Sequence, residues 1–213
     1  MTFQHLVLKI KRAFWRRRCH HPAMRALLDT PIAQLPFNQT RYVVIDLETT
    51  ALDPQQGEIA SIGWVVIEHL SIDLSQSQHH LVAVQQEVGQ SAIFHELTDS
   101  DLQQANPIEY ALNALLPVIH NSHLVFHHAS MDMQFLNRAS KTLFGCPILL
   151  PIHDTMTTED AILNRQNHIP ANDDLRLYRC RQRYGLYDIP AHNAFNDALA
   201  TAELWLAQLT HRN

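Results

Sequence analysis

The stretch that most constrains this chain is Tyr42-Val43-Val44-Ile45-Asp46-Leu47-Glu48, an apolar, β-branched run closed by two carboxylates. Residues of this type fit a pleated, packed surface, so the run reads as a buried strand. Side chains alternate along a strand, which sends Asp46 and Glu48 to the same face. Two carboxylates at the end of an apolar strand are costly unless water or a partner neutralises them. No Lys or Arg follows closely in sequence. A divalent cation would supply the missing charge, and hard oxygen ligands suit Mg²⁺ or Mn²⁺. The plainer reading is a solvated strand end with Glu48 leading a turn.

A chain of 213 residues, 46% of them hydrophobic, has room for one domain with its own core plus an extension. No apolar run approaches the roughly 18–20 residues that a membrane span needs. The cysteines, Cys19, Cys146 and Cys180, are odd in number and form no C-x-x-C pair, so neither a disulfide framework nor a structural zinc site is expected. A reducing, cytoplasmic setting fits that usage. Near the N-terminus the charges follow a short apolar stretch rather than precede a long one, which argues against a secretion signal.

The net charge of −5 is unevenly spread. Residues 1–41 carry eight Lys and Arg against one acid, Asp29, which leaves eight basic and 20 acidic residues for the rest. Residues 1–40 therefore read as a basic N-terminal extension and 41–213 as the folded domain, with a linker near 29–40 around Pro31 and Pro36. Within the arm, Leu6, Ile10 and Phe14 recur among Lys9, Lys11, Arg12 and Arg16 to Arg18, as in a short amphipathic basic helix. An arm of this kind suits a polyanion, an anionic membrane surface or a protein partner. Further along, 59–69 and 71–84 read as two more strands in an antiparallel meander. A helix is expected over 107–120, a short strand over 124–126, a helix over 131–144 stopped by Gly145, and an irregular strand over 148–153. The last helices fall at 173–184 and 194–209. Three strands followed by alternating helix and strand imply an α/β domain around a mixed sheet.

Two further segments carry candidate chemistry. Asp132 lies in the first turn of a helix that follows a short strand, where the helix dipole alone can explain an acid. His192 precedes a helix that opens with Asp197, and each can also be an ordinary loop or first-turn residue. Arg176, Arg179, Arg181 and Arg183 crowd one helix but cannot share one face, so a solvated helix with one or two ion pairs is favoured over a phosphate-binding surface. Asp154-Thr155 ends a predicted strand and could lie near the site, although a strand-end or turn role is favoured.

Taken together, Val43 to Thr50, residues 126–136 and His192 to Ala202 resemble the three motifs of the DEDDh exonucleases, a group that includes the proofreading epsilon subunit of DNA polymerase III. Ile93-Phe94-His95-Glu96-Leu97-Thr98 resembles their linking segment. The resemblance spans about residues 41–209. It implies a ribonuclease H-like mixed β-sheet flanked by helices, and 3′→5′ hydrolysis that releases nucleoside 5′-monophosphates. It also implies two Mg²⁺ or Mn²⁺ ions on Asp46, Glu48, Asp132 and Asp197, with His192 as general base. Thr49, Thr50, Leu52, His95 and His127 become candidates for contacting the terminal nucleotide. Single-stranded or frayed DNA 3′ ends are the expected substrate. Small RNA ends are the runner-up, and a non-catalytic nucleic-acid-binding module is the alternative. A polymerase or other protein partner could bind the arm. The chain departs from the pattern at Ala51, where a glycine is usual. If that turn needs a positive φ, alanine costs of the order of 1 kcal/mol. It departs also at Phe126-His127-His128, Met131 and Glu96, none of which removes a carboxylate or the histidine.

Overall fold

The protein is described from a computed structural model over residues 3–32, 34–84, 105–171, 173–187, 189–190 and 193–211. Its centre is a five-stranded mixed sheet: β1 (Tyr42–Thr49), β2 (Ile59–Glu68), β3 (Ser71–Leu81), β4 (His123–Phe126) and β5 (Ile152–Asp154), in the order β3-β2-β1-β4-β5. β1 and β2, and β2 and β3, pair antiparallel, whereas β1, β4 and β5 run parallel. The hairpin between β2 and β3 turns on His69 and Leu70, both at positive φ.

β1 is buried on both faces because each face has its own helical cover. Val43, Ile45 and Leu47 join Ile62, Trp64, Leu124 and Phe126 in the larger core. That core is closed by α2 (Pro22–Asp29), α3 (Ile108–Val118) and α4 (Ala129–Phe144). Tyr42 and Val44 point the other way, with Val65, Ile67 and Val125, onto Ala198, Ala202, Trp205 and Leu209 of α7 (Ala194–Thr210). By alternation Asp46 and Glu48 belong to this second face. α5 (Thr155–Arg165) and α6 (Leu177–Arg183) complete the order.

Most elements fall where the pattern places them, and α4 ends at Gly145, whose φ of 72° satisfies the left-handed stop. α2 and α5 lie where the pattern predicts no element. The strand expected over 148–153 is confined to Ile152–Asp154, after Pro151. An edge strand that begins directly after a proline has few ladder bonds to gain, which explains its shortness.

The basic arm is packed. α1 (Phe3–Arg16) inserts Arg12, whose guanidinium donates to the carbonyls of Leu149 at 2.6 Å and Leu27 at 2.8 Å, and also to those of Leu28 and Thr30. Met24, Leu27 and Leu28 of α2 enter the larger core, and Trp15 packs against it. A disulfide joins Cys19 to Cys146. This corrects the expectation that the cysteines stay unpaired. The partners are 127 residues apart, and only the seating of the arm beside the end of α4 brings them together.

Candidate metal centre

The parallel strands β1, β4 and β5 place their C-terminal ends along one edge of the sheet, and each end carries an acid. Asp46 and Glu48 close β1. Asp132 lies in the first turn of α4, which follows β4, and Asp154 ends β5. The fourth acid of the expected set arrives from the opposite side. α7 opens at Ala194, capped by the Asn193 carboxamide oxygen, which accepts from the amides of Phe195 at 3.0 Å and Asn196 at 3.3 Å. Its first turn carries Asp197.

Gly63 lets that helix approach. It sits opposite Asp46 in the β1–β2 register. A β-carbon there would lie 2.3 Å from the Ala194 carbonyl carbon and 2.3 Å from the Phe195 nitrogen. The start of α7 thus rests directly on β2 beside Asp46. One oxygen each of Asp46, Glu48 and Asp197 consequently lies within 4.8 Å of the others. The β1–β2 register also slips between Glu48 and Thr49, a bulge at the rim of the site. Asp132 stands outside this trio, buried to 7% exposure, yet within electrostatic reach of it.

The cluster is electrostatically costly. Burial holds Asp46 protonated well above the usual carboxylate range, reinforced by the charges of Asp132, Asp197 and Glu48. Burial and then Asp197 push Glu48 up to about 7. Asp132 is raised well above its ordinary value by burial, then by Asp154 and Glu48. Among the described residues, no Lys or Arg forms an ion pair with Asp46, Glu48 or Asp132. Converging hard oxygens with unbalanced negative charge fit a divalent cation.

This has a measurable consequence. Glu48 takes up its proton at a higher pH in the folded chain than in the unfolded one, where its ordinary value is 4.5. Between about 4.5 and 7 the folded state therefore binds more protons, and stability falls as pH rises. The metal-free protein is expected to lose on the order of 1–3 kcal/mol across that window. Its Tm in EDTA should drop by several degrees between pH 5 and pH 8. Mg²⁺ should restore more at pH 8, where the carboxylates are ionised, than at pH 5. Scanning fluorimetry checks this, and a Tm indifferent to both pH and Mg²⁺ would contradict it.

The residues expected around the substrate differ in how they are engaged. The Thr49 hydroxyl donates to the Ala51 carbonyl at 3.0 Å. The Thr50 hydroxyl accepts from the Glu58 amide at 2.8 Å. Leu52 projects from this turn, 77% exposed. Ala51 is not among the residues at positive φ, so the feared strain at this departure is absent. Gly57 makes the room, since a β-carbon on it would come within 2.9 Å of the Ala51 carbonyl oxygen. His127 is engaged at both ring nitrogens. Nε2 donates to the Leu175 carbonyl at 2.9 Å, which leaves Nδ1 to accept from the Thr155 hydroxyl at 2.8 Å. Burial pushes this imidazole down to about 4, so it is neutral near pH 7. His95 and His192 lie outside the described residues.

Asp154 lies at the site's edge, as the sequence allows, but its double capping role is a finding of the structure. One of its oxygens accepts from the Met156 amide at 2.9 Å and caps α5. The other accepts from the Ala129 amide at 2.9 Å, at the start of α4. α4 has no side-chain cap of its own, and its N-cap His128 sits at a φ of 83°. Asp154 thereby secures the turn that carries Asp132. Asp154→Ala is expected to cost about 1–3 kcal/mol of stability. Nuclease activity should fall about tenfold to a hundredfold as Asp132 loses its position, with Asp154→Asn intermediate. Wild-type activity in Asp154→Ala would remove this role.

The arginines of α6 are largely used internally. Arg181 is buried, pairs with Glu203 at 2.8 Å and donates to the Ala200 carbonyl at 2.7 Å, which fastens α6 to α7. Arg183 reaches the buried Glu159 at 3.4 Å, and Arg176 pairs with Asp173 at 2.8 Å.

Residues 43–205 match the RNase T exonuclease family. A PolC-type DNA polymerase III of Thermotoga petrophila is 30% identical over 171 residues, which is 80% of this chain and 12% of that protein. The chain thus spans about an eighth of the length of that relative. The DNA polymerase III epsilon subunit of Rickettsia prowazekii is 28% identical over 175 residues, 80% of this chain and 75% of the subunit. The nuclease domain of 3′hExo, a DEDDh family member solved with bound rAMP, shares the fold at a TM-score of 0.68 and 13% identity, covering 84% of this chain and 96% of that domain. The ribonuclease H-like architecture is therefore the one these exonucleases share. With its acids gathered at the strand ends, the chain belongs to the RNase T exonuclease family.

Proposed function

We propose that the protein is a 3′→5′ exonuclease of the DEDDh type acting on single-stranded or frayed DNA. The observation that carries this reading is the convergence of the Asp46, Glu48 and Asp197 oxygens, with Asp132 close enough to raise the Asp46 pKa. Asp46 would contribute to both sites for two Mg²⁺ or Mn²⁺ ions. Glu48 and Asp197 would complete one site and Asp132 the other. Bound there, the ions would acidify a water and offset charge on the phosphate and the leaving oxygen.

The protein's own part is then positional. The carboxylates fix where the cations, and with them the terminal phosphate, would sit at the sheet edge. His192, one residue before the cap of α7, would accept the water proton, since an imidazole of ordinary pKa near 6.5 is suited to that at neutral pH. The water oxygen bonds to phosphorus, the bond to the penultimate O3′ breaks, and a nucleoside 5′-monophosphate leaves. Leu52 is free to meet the terminal nucleotide, and Thr49 and Thr50 shape the turn that presents it. His95 belongs to the same expected surface. His127, neutral and held at both nitrogens, would act by supporting that surface.

DNA is preferred over RNA because the sequence relatives are named as DNA polymerase III proteins. RNA is the second reading, favoured by the rAMP bound to the 3′hExo domain. The same relatives favour a polymerase partner and a cytoplasmic setting. No described helix is long and apolar enough to cross a membrane. In reducing surroundings the contacts of Arg12 and Trp15 would hold the arm without the disulfide.

The test uses single-stranded DNA and RNA labelled at the 5′ end. Ladders that shorten one nucleotide at a time, with 5′-monophosphates as product and a loss of at least about a hundredfold in His192→Ala, are expected. Immediate release of the 5′-terminal nucleotide would reverse the polarity, and faster loss of RNA would reverse the substrate.

A further inference from the structure

The apolar stripe of α1 plays no part in hydrolysis. α1 meets the domain through Arg12 and Trp15. At about 100° per residue, Phe3, Leu6, Ile10 and Phe14 lie on roughly the opposite side. They are exposed, Phe3 at 80% and Ile10 at 62%. The helix is apolar on two sides, and the domain covers only one. Cations line both borders of the outer stripe, Lys9 and Arg16 along one and Lys11 and Arg18 along the other. Arg16 is ion-paired with Asp29, and the Arg18 guanidinium lies 3.7 Å from the centre of the Phe14 ring. α1 itself contains no acid.

We propose that the outer face of α1 docks on an anionic lipid surface, with Phe3, Leu6, Ile10 and Phe14 at the acyl–headgroup boundary and Lys11, Arg17 and Arg18 at the headgroup phosphates. An apolar stripe bordered by cations is the pattern an interfacial helix needs, because each long basic side chain lays its stem along the stripe and lifts its charge into the headgroups. The occupant follows from charge and shape. A second copy would bring the same cations against themselves. A nucleic acid would satisfy the cations but leave Leu6 and Ile10, which offer no stacking plane, against water. An anionic bilayer meets both demands. The helix is anchored to the domain by Arg12, so docking would hold the nuclease at the surface without a spanning segment.

The experiment is co-sedimentation of the full chain with vesicles of phosphatidylglycerol and phosphatidylcholine, beside vesicles of phosphatidylcholine alone. Binding to the anionic vesicles only is expected, weakening as salt rises. Ile10→Ser with Phe14→Ser should reduce binding by at least about tenfold. Lys11→Glu with Arg18→Glu, which leaves the apolar stripe intact, should do the same. Both double variants should keep the wild-type circular dichroism and the wild-type rate on a short oligonucleotide, so loss of docking is separable from loss of the nuclease. No binding by the wild-type chain overturns the proposal, as does equal binding to both vesicle types or binding that neither variant reduces. A wild-type dimer that Ile10→Ser with Phe14→Ser dissociates would give the face to a second copy. Binding of an acidic protein through α1 with no affinity for lipid would give it to a protein partner. Either result overturns the lipid assignment.

Discussion

Asp46→Asn is expected to lower metal-dependent hydrolysis by at least about a thousandfold while raising the melting temperature of the metal-free protein. The two effects share a cause. Asp46 stands among three other acids, and burial and their charges hold its proton on well above the usual range. At pH 8 the folded chain bears the cost of that crowding, and asparagine removes the group whose ionisation the crowding opposes, with little change in shape. A gain on the order of 1–2 kcal/mol in EDTA follows. Asparagine cannot, however, supply the anionic oxygen that suits a divalent cation, so the gain should shrink or reverse in Mg²⁺. Thermal melts with and without Mg²⁺, beside rates on a labelled oligonucleotide, check the pair. A variant that lost activity and metal-free stability together would make Asp46 a structural residue. One that kept its rate would remove it from the chemistry.

Gly63→Ala should be nearly as damaging, although this residue carries no functional group. The added methyl would meet the Ala194 carbonyl oxygen at 2.4 Å and the Phe195 nitrogen at 2.3 Å. Both are backbone atoms at the start of α7 and cannot rotate aside, so the helix must lift from β2. Asp197 would move with it, away from Asp46 and Glu48. A displacement of about 1 Å at a catalytic group can cost about a hundredfold in rate, and overpacking of this kind costs about 1–3 kcal/mol or more. The expected result is a folded, destabilised protein with weakened Mg²⁺ stabilisation and activity down by about two orders of magnitude. Wild-type kinetics in Gly63→Ala would mean that the approach of α7 does not set the site.

The contrast between these residues shows what could be read in advance. Asp46 and Glu48 are legible because strand alternation is local, and two acids on one face of an apolar strand are conspicuous. Gly63 is not, because a glycine within a strand reads as a weak point or a bulge. Its purpose appears only when α7, more than a hundred residues later in the chain, is laid across it. Asp154 was hidden differently. The apolar run from Ile148 makes it look like a strand end, the sequence pattern gives no sign of α5 or of its cap, and its second task, at the start of α4, is a tertiary contact. α2 carried a visible signal in Pro22 at its first position, but it lay inside a segment already assigned to a basic arm. The pairing of Cys19 with Cys146 depends on where that arm folds back, which counting cysteines does not reveal. The four arginines over 176–183 are readable as ion-pair formers because their spacing forbids a single face, and Arg176 at the cap of α6, with Arg181 and Arg183 inside it, does form ion pairs.

The most direct test of the account is the rate at which wild-type protein, stripped with EDTA, degrades single-stranded DNA before and after Mg²⁺ is returned. The four acids, two at the end of β1 and one in the first turn of each of α4 and α7, predict no turnover without metal and full recovery of hydrolysis when Mg²⁺ or Mn²⁺ is added back. Unchanged turnover in EDTA would contradict a metal centre built from Asp46, Glu48, Asp132 and Asp197. No degradation in either state would overturn the enzyme assignment and favour the non-catalytic nucleic-acid-binding reading.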